Sequence, residues 1–258
     1  MMNSPKQQED TNPAILAAAQ TCSVPGDVTT NLERHLVLAA EAARRHAELI
    51  AFPELSLTGY EPHLANACAF SPADPRINKL RVFSRESGIT IIVGAPVRLD
   101  GALFIGSFVI CSDGACRIYT KHYLHPGEER VFQPGSENLM VKLGNETIAP
   151  AICADIAHPA HPEAAANMGA TVYVASALIT CQGYESDCRL LSTYAKTYSM
   201  LTVLANHGAE SGGYESAGRS AVWSPSGELL AALPGTGEGL VIAEKRKSAW
   251  TAGVGVAA

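Results

Sequence analysis

The sequence predicts a layered α/β fold built on a mixed sheet or sheets, and three observations carry that expectation. Short apolar or β-branched runs alternate with stretches of helical periodicity. Two of the runs are separated by Asp100-Gly101, a hairpin signal that adds antiparallel pairing to the pattern. Toward the C-terminus the runs follow one another through Pro/Gly turns, with no helical stretch between them.

Residues 1–12 are polar and predict a flexible tail, which leaves 13–258 as a single domain. The apolar run 14–20 predicts a buried strand. Thr30-Asn31-Leu32-Glu33 has capping-box form, and Leu32, Leu36, Ala39, Ala43 and Ala47 then recur at helical spacing. Residues 49–52 are an apolar run stopped by Pro53, a second buried strand. A helix is expected over 75–87, closing at Gly88. The runs 89–97, 103–110 and 116–120 predict strands, the first two joined as a hairpin. Strands at 146–152, 171–175 and 201–206 then alternate with helices at 161–168 and 186–199. The stretch 220–244 predicts further strands joined by turns.

The bulk composition narrows the class. The chain has 258 residues, 47% hydrophobic and 17% charged, which favours a sizeable core over disorder. Net charge is −6, and the densest basic clusters are Arg44-Arg45 and Lys245-Arg246-Lys247, so no electrostatic footprint for nucleic acid is present. No apolar run reaches the roughly 18–20 residues of a membrane span. The N-terminus lacks the apolar core of a signal peptide, and seven cysteines argue for reduced thiols in a cytoplasm.

Three side chains stand where chemistry gathers in α/β folds, beyond the ends of strands. Cys153 follows the run 146–152, Glu54 follows the run ending at Pro53, and Lys121 follows 116–120. On position alone a nucleophilic and a structural role for Cys153 weigh about equally. Its proton needs an acceptor. His158 and His161 stand close in sequence, and a Cys–His hydrolase stays open. They flank prolines, however, as loop residues do. A zinc site from Cys153, His158 and His161 matches no standard spacing and lacks an evident fourth ligand. Lys121 would need an anionic partner if buried, and Glu128 and Glu129 follow Pro126-Gly127.

The ordered set Glu54 in Phe-Pro-Glu-Leu-Ser-Leu-Thr-Gly-Tyr, Lys121 in Tyr-Thr-Lys-His-Tyr-Leu and Cys153 in Ile-Cys-Ala-Asp resembles the nitrilase superfamily of carbon–nitrogen hydrolases. Phe132-Gln133-Pro134-Gly135, Gly169-Ala170, Gly218-Arg219-Ser220 and Ser224-Pro225-Ser226-Gly227 add to the resemblance, which covers about 14–245. It implies a four-layer αββα sandwich, assembly as a homodimer or larger homo-oligomer, and no metal or organic cofactor. It also implies roles: Cys153 as nucleophile, Glu54 as base and acid, and Lys121 with the Ala154 N–H around the oxyanion. A second glutamate belongs to the site. Counting back from Pro134-Gly135 selects Glu128, and counting forward from Lys121 selects Glu129; Glu128 is the expected member.

The substrate implied is a small non-peptide amide, with an N-carbamoyl amine as the alternative. A non-catalytic module that binds a small amide or a protein is the reading of another class. True nitrilases carry tryptophan then glutamate after the cysteine, where this chain has Ala154-Asp155. Relatives that take carboxylate substrates carry an arginine a few positions on, where this chain has alanine. Arg189 and Arg219 are the remaining candidates for an anion partner. Tyr60 and Tyr123 are expected to line the pocket, with Tyr184 a further candidate, and Asp155 to hold the loop after Cys153 through backbone N–H groups.

Overall fold

The computed structural model describes residues 14–255. The expected tail over 1–12 lies outside the described residues. The first half of the chain runs β1 (Ala14–Gln20), α1 (Val28–Arg44), β2 (Leu49–Ala51), α2 (Ala65–Cys68), α3 (Asn78–Ser87), β3 (Thr90–Leu99), β4 (Ala102–Ile110) and β5 (Cys116–Thr120). The second runs β6 (Val141–Leu143), β7 (Glu146–Ile152), α4 (Ala160–Asn167), β8 (Val172–Ala177), α5 (Tyr184–Tyr198), β9 (Leu201–Asn206), β10 (Ala221–Trp223), β11 (Leu229–Ala232), β12 (Gly239–Arg246) and β13 (Ala249–Gly255).

These strands form two sheets with the same internal logic. The seven-stranded sheet has the order β13-β12-β1-β2-β3-β4-β5, and the six-stranded sheet β11-β10-β9-β8-β7-β6. In each, three central strands are parallel and the flanking ones antiparallel. Side chains alternate across a strand, so each sheet offers two apolar faces. One face of the first sheet, with Ala17, Ile50, Ile91 and Val93, packs on Leu38 and Ala42 of α1 and Leu80 of α3. Its other face, with Leu16, Ala18, Leu49 and Ile92, meets Ile148, Val172, Val174 and Val203 of the second sheet. The far side of that sheet, with Ala149, Tyr173 and Ala175, covers Ala165 of α4 and Leu191 and Ala195 of α5. The result is the αββα sandwich, and it explains why the central strands are apolar throughout rather than alternating.

Local signals account for most element ends, with some corrections. Helix α1 is capped by Asp27, whose side chain accepts from the Thr30 N–H at 3.1 Å, so Thr30 sits inside the first turn rather than capping it. The helix expected over 75–87 begins as a 3-10 turn at Pro75–Ile77 and becomes α3, with Gly88 left-handed at its end (φ 75°). Asp100 (φ 48°) and Gly101 (φ 84°) both adopt the positive φ of a tight hairpin turn. Three elements were not foreseen: α2, β6 and β13. Strand β6 has three residues, and β13 is an edge strand containing Gly253 and Gly255 whose register comes from β12. Among the described residues no helix is long and apolar enough to cross a membrane.

Candidate active site

Cys153 opens a 3-10 turn (Cys153–Ala157) directly after β7, with φ at 45°. A left-handed backbone at a non-glycine residue costs on the order of 1–3 kcal/mol and persists only where its surroundings impose it. Asp155 supplies much of that restraint. Its Oδ2 accepts from the Ile152 N–H (2.9 Å) and the Tyr119 hydroxyl (2.7 Å), and its Oδ1 from the N–H groups of His122 (3.1 Å) and Tyr123 (3.0 Å). Asp155 bonds backbone N–H groups as the sequence reading expected, and beyond that expectation it ties the cysteine turn to the segment just after Lys121.

Glu54 is placed by different means. The loop after β2 crosses directly over β3 at Gly94. A Cβ at Gly94 would lie 2.3 Å from the Leu55 nitrogen and 2.7 Å from the Pro53 oxygen, so only glycine admits this approach. The Nε2–H of His207 donates to the Glu54 carbonyl oxygen at 2.6 Å. Burial holds the His207 imidazole down to about 4, so it is neutral near pH 7.

Lys121 leaves β5 fully buried and meets two carboxylates. Its Nζ donates to Glu54 Oε1 at 2.7 Å and to Glu128 Oε1 at 2.8 Å. The Tyr60 hydroxyl donates to Glu128 Oε1 (2.7 Å), and the His125 N–H donates to Glu128 Oε2 (2.8 Å). The other oxygen of Glu54, Oε2, is buried without a hydrogen-bond partner. Glu129 instead is exposed and accepts from the Gly127 N–H at 2.6 Å. Of the two glutamates weighed from the sequence, Glu128 is the one that reaches the lysine.

The electrostatics follow from taking these charges out of water. Burial raises the Glu54 carboxyl to about 7, with Lys121 pulling down and Glu128 pushing up. For Lys121 burial works against the ammonium, but Glu54, Cys153 and Glu128 outweigh it and hold the lysine charged, above its ordinary range. Burial, and then Glu54, push the Cys153 thiol well above the usual value, with Lys121 opposing them. The resting cysteine is therefore a thiol, and a carboxylate raised to about 7 lines the same cavity.

Glu54, Glu128, Cys153 and Ala154 line one cavity of about 270 Å³, together with Tyr60, His125, Ile156, Ala157, Leu178, Ile179, Thr180, Gly183, Asp187 and Tyr214. Lys121 lies behind this wall. Tyr123 is not among the lining residues, contrary to expectation: its ring stacks on His158 at 3.9 Å. Tyr184 does not line the cavity either, and its hydroxyl donates to the Arg219 carbonyl oxygen (2.7 Å). Both ring nitrogens of His161 are engaged by tyrosine hydroxyls, Tyr119 at 2.7 Å and Tyr173 at 2.9 Å. Neither Arg189 nor Arg219 borders the cavity. The segment 178–183 after β8, with Leu178 and Thr180, was missed. It extends a central parallel strand beside β7, and that position was the available signal.

The model of the carbon-nitrogen hydrolase family matches residues 15–252. The chain belongs to that family. Among solved structures, the chain is similar to the amidase from Nesterenkonia sp. AN1. One variant of that amidase carries the acetamide moiety of fluoroacetamide covalently at its active-site cysteine. The two share 25% identity and a TM-score of 0.82 over 90% of each chain. The chain is 26% identical to a nitrilase of Pyrococcus abyssi over 80% of either chain. It is 30% identical to the glutamine-dependent NAD(+) synthetase of Thermotoga maritima, a match over 60% of this chain and only 28% of the synthetase.

Proposed function

We propose that this carbon-nitrogen hydrolase is an amidase, cleaving the C–N bond of a small non-peptide amide through a thioester on Cys153. One observation carries the reading: Lys121, fully buried, bridges Glu54 and Glu128, Glu54 keeps a second oxygen without a hydrogen-bond partner, and Glu54 and Cys153 line one cavity.

The chemistry follows from these groups. The free oxygen of Glu54 takes the Cys153 proton, and the thiolate adds to the amide carbon. The developing oxyanion is stabilised by the Lys121 ammonium and the Ala154 N–H, donors of a kind that contribute a few kcal/mol each. Glu54 returns the proton to the nitrogen, ammonia or an amine leaves, and a thioester remains. Glu54 then draws a proton from water, whose oxygen attacks the thioester carbon and frees Cys153 as the acid departs. Glu128 shares Lys121 with Glu54 and keeps the ammonium aimed between them. The chemistry calls for no metal or organic cofactor.

Relatives include nitrilases as well as amidases. Ala154-Asp155 after the cysteine, in place of tryptophan and glutamate, supports amide over nitrile. The absence of any lysine or arginine among the lining residues disfavours an anionic substrate. Ammonia release from a panel of aliphatic, glutaramate-type and carbamoyl amides, with mass spectrometry for an acyl adduct on Cys153, tests the reading. A Cys153→Ala protein that retained full activity would sink it; unaltered protein and unaltered amides across the panel would favour the non-catalytic binder. We further propose a homodimer or larger homo-oligomer in a cytoplasm, checked by light scattering and by fractionation of cells.

A further inference from the structure

We infer that Asp187 selects for a positively charged group on the substrate, so that the preferred amide carries an ammonium or guanidinium away from its scissile bond. This rests on the amidase reading and names a substrate class for it.

The cavity is asymmetric in charge. Three carboxylate residues line it, Glu54, Glu128 and Asp187, and neither lysine nor arginine does. The Lys121 ammonium behind the wall is already bonded to both Glu54 and Glu128. Asp187 is different from those two. It stands on the first turn of α5, apart from the lysine, and among the described residues no lysine, arginine or histidine forms an ion pair with it. Its neighbour Glu185, by contrast, is exposed and lies 3.9 Å from Arg219. An acid on the first turn of a helix is favoured by the helix dipole, but Glu185 already serves that purpose from solvent. A half-buried carboxylate without a cation is costly, and burial raises the Asp187 carboxyl accordingly.

The remaining walls suit a cation joined to the amide by an apolar linker. Ile156, Leu178 and Ile179 supply apolar surface. Tyr60 and Tyr214, edge to face with centroids 5.8 Å apart, also line the cavity, and aromatic rings are side chains that attract cations. A substrate carboxylate would find no lysine or arginine on these walls.

The test compares two amides of matched length, 5-aminopentanamide and hexanamide, with wild-type protein and with Asp187→Asn and Asp187→Glu. The expected result is a kcat/KM ratio of at least about tenfold in favour of the ammonium amide, falling toward unity in Asp187→Asn and kept in part by Asp187→Glu. The ratio cancels a general loss from altered folding, because both amides report on the same protein. Equal kcat/KM for the two amides in the wild type, or an unchanged ratio in Asp187→Asn, overturns the inference while leaving the hydrolase intact. Turnover of neither, together with none across the wider panel, fails the amidase reading and this inference with it.

Discussion

Gly94→Ala is the sharpest perturbation of the site that touches none of its charged groups. Gly94 lies within β3, opposite Ser107 of β4. The added Cβ would meet the Leu55 nitrogen at 2.3 Å, the Pro53 oxygen at 2.7 Å and the Glu54 carbonyl carbon at 3.0 Å. All three are backbone atoms, so no rotamer change relieves the overlap. Ordinary contact begins near 3.4 Å, so the loop carrying Glu54 must retreat by about 1 Å. Overpacking of this kind costs about 1–3 kcal/mol of stability. A displacement of about 1 Å at a reacting group costs roughly 100-fold in rate. The expected outcome is therefore a folded protein with a modestly lowered melting temperature and kcat/KM reduced about 100-fold on its amide substrate. Paired measurements of thermal unfolding and ammonia release read both quantities. A Gly94→Ala protein within a factor of three of wild-type kcat/KM would refute the argument that this glycine sets the position of Glu54.

Further outcomes follow from the same geometry. With Glu54 raised to about 7, kcat/KM is expected to fall on the acid side with a midpoint near pH 7, as the base becomes protonated; a flat profile from pH 5 to 8 contradicts it. The same shift has a stability consequence. The folded state holds a proton between the ordinary value of 4.5 and about 7 that the unfolded chain has released. The Glu54 contribution is therefore present below pH 4.5 and is lost as pH rises to about 7, and Glu54→Gln should flatten that part of the urea-unfolding profile. Asp155→Asn places an amide group against N–H donors on one side of the carboxyl, losing about two charge-assisted hydrogen bonds and destabilising by about 3–6 kcal/mol in urea unfolding. Lys121→Met leaves Glu54 and Glu128 buried without their cation, and is expected to cost about 3–5 kcal/mol of stability. It should also slow alkylation of Cys153 by iodoacetamide, because the cation that lowers the thiol is gone.

How much was legible from residues alone differs from element to element. The central strands were, because an apolar run bounded by turn residues reports burial on both faces. The strands at 146–152 and 201–206 coincide with the central β7 and β9, and the one at 116–120 coincides with the edge strand β5. Helix α1 was legible in its periodicity but not in its cap. Asp27 carries the cap through one hydrogen bond to Thr30, and Thr30 with Glu33 mimics the same signal three residues on. Strand β13 was invisible because its residues have little strand preference of their own and are ordered by β12. In the site, Glu54, Lys121 and Cys153 stood out as reactive residues just beyond strands, and the structure draws them together. Tyr123, expected on the pocket wall with Tyr60, is absent from it, since a residue beside the lysine can turn either way and this one finds His158.

By itself the sequence determined the layered alternation, the family pattern and the order of its reactive residues, because these depend on residue type, periodicity and spacing along the chain. Tertiary structure alone decided what lies across space. It brought Glu128 rather than Glu129 onto Lys121, left one Glu54 oxygen unpartnered, and set Asp187 on the wall of the same cavity as Cys153. The physical reason is that the two sheets meet face to face and bring loops distant in sequence to one end. Burial, the pairing of charges and the pKa of a base arise only from that meeting.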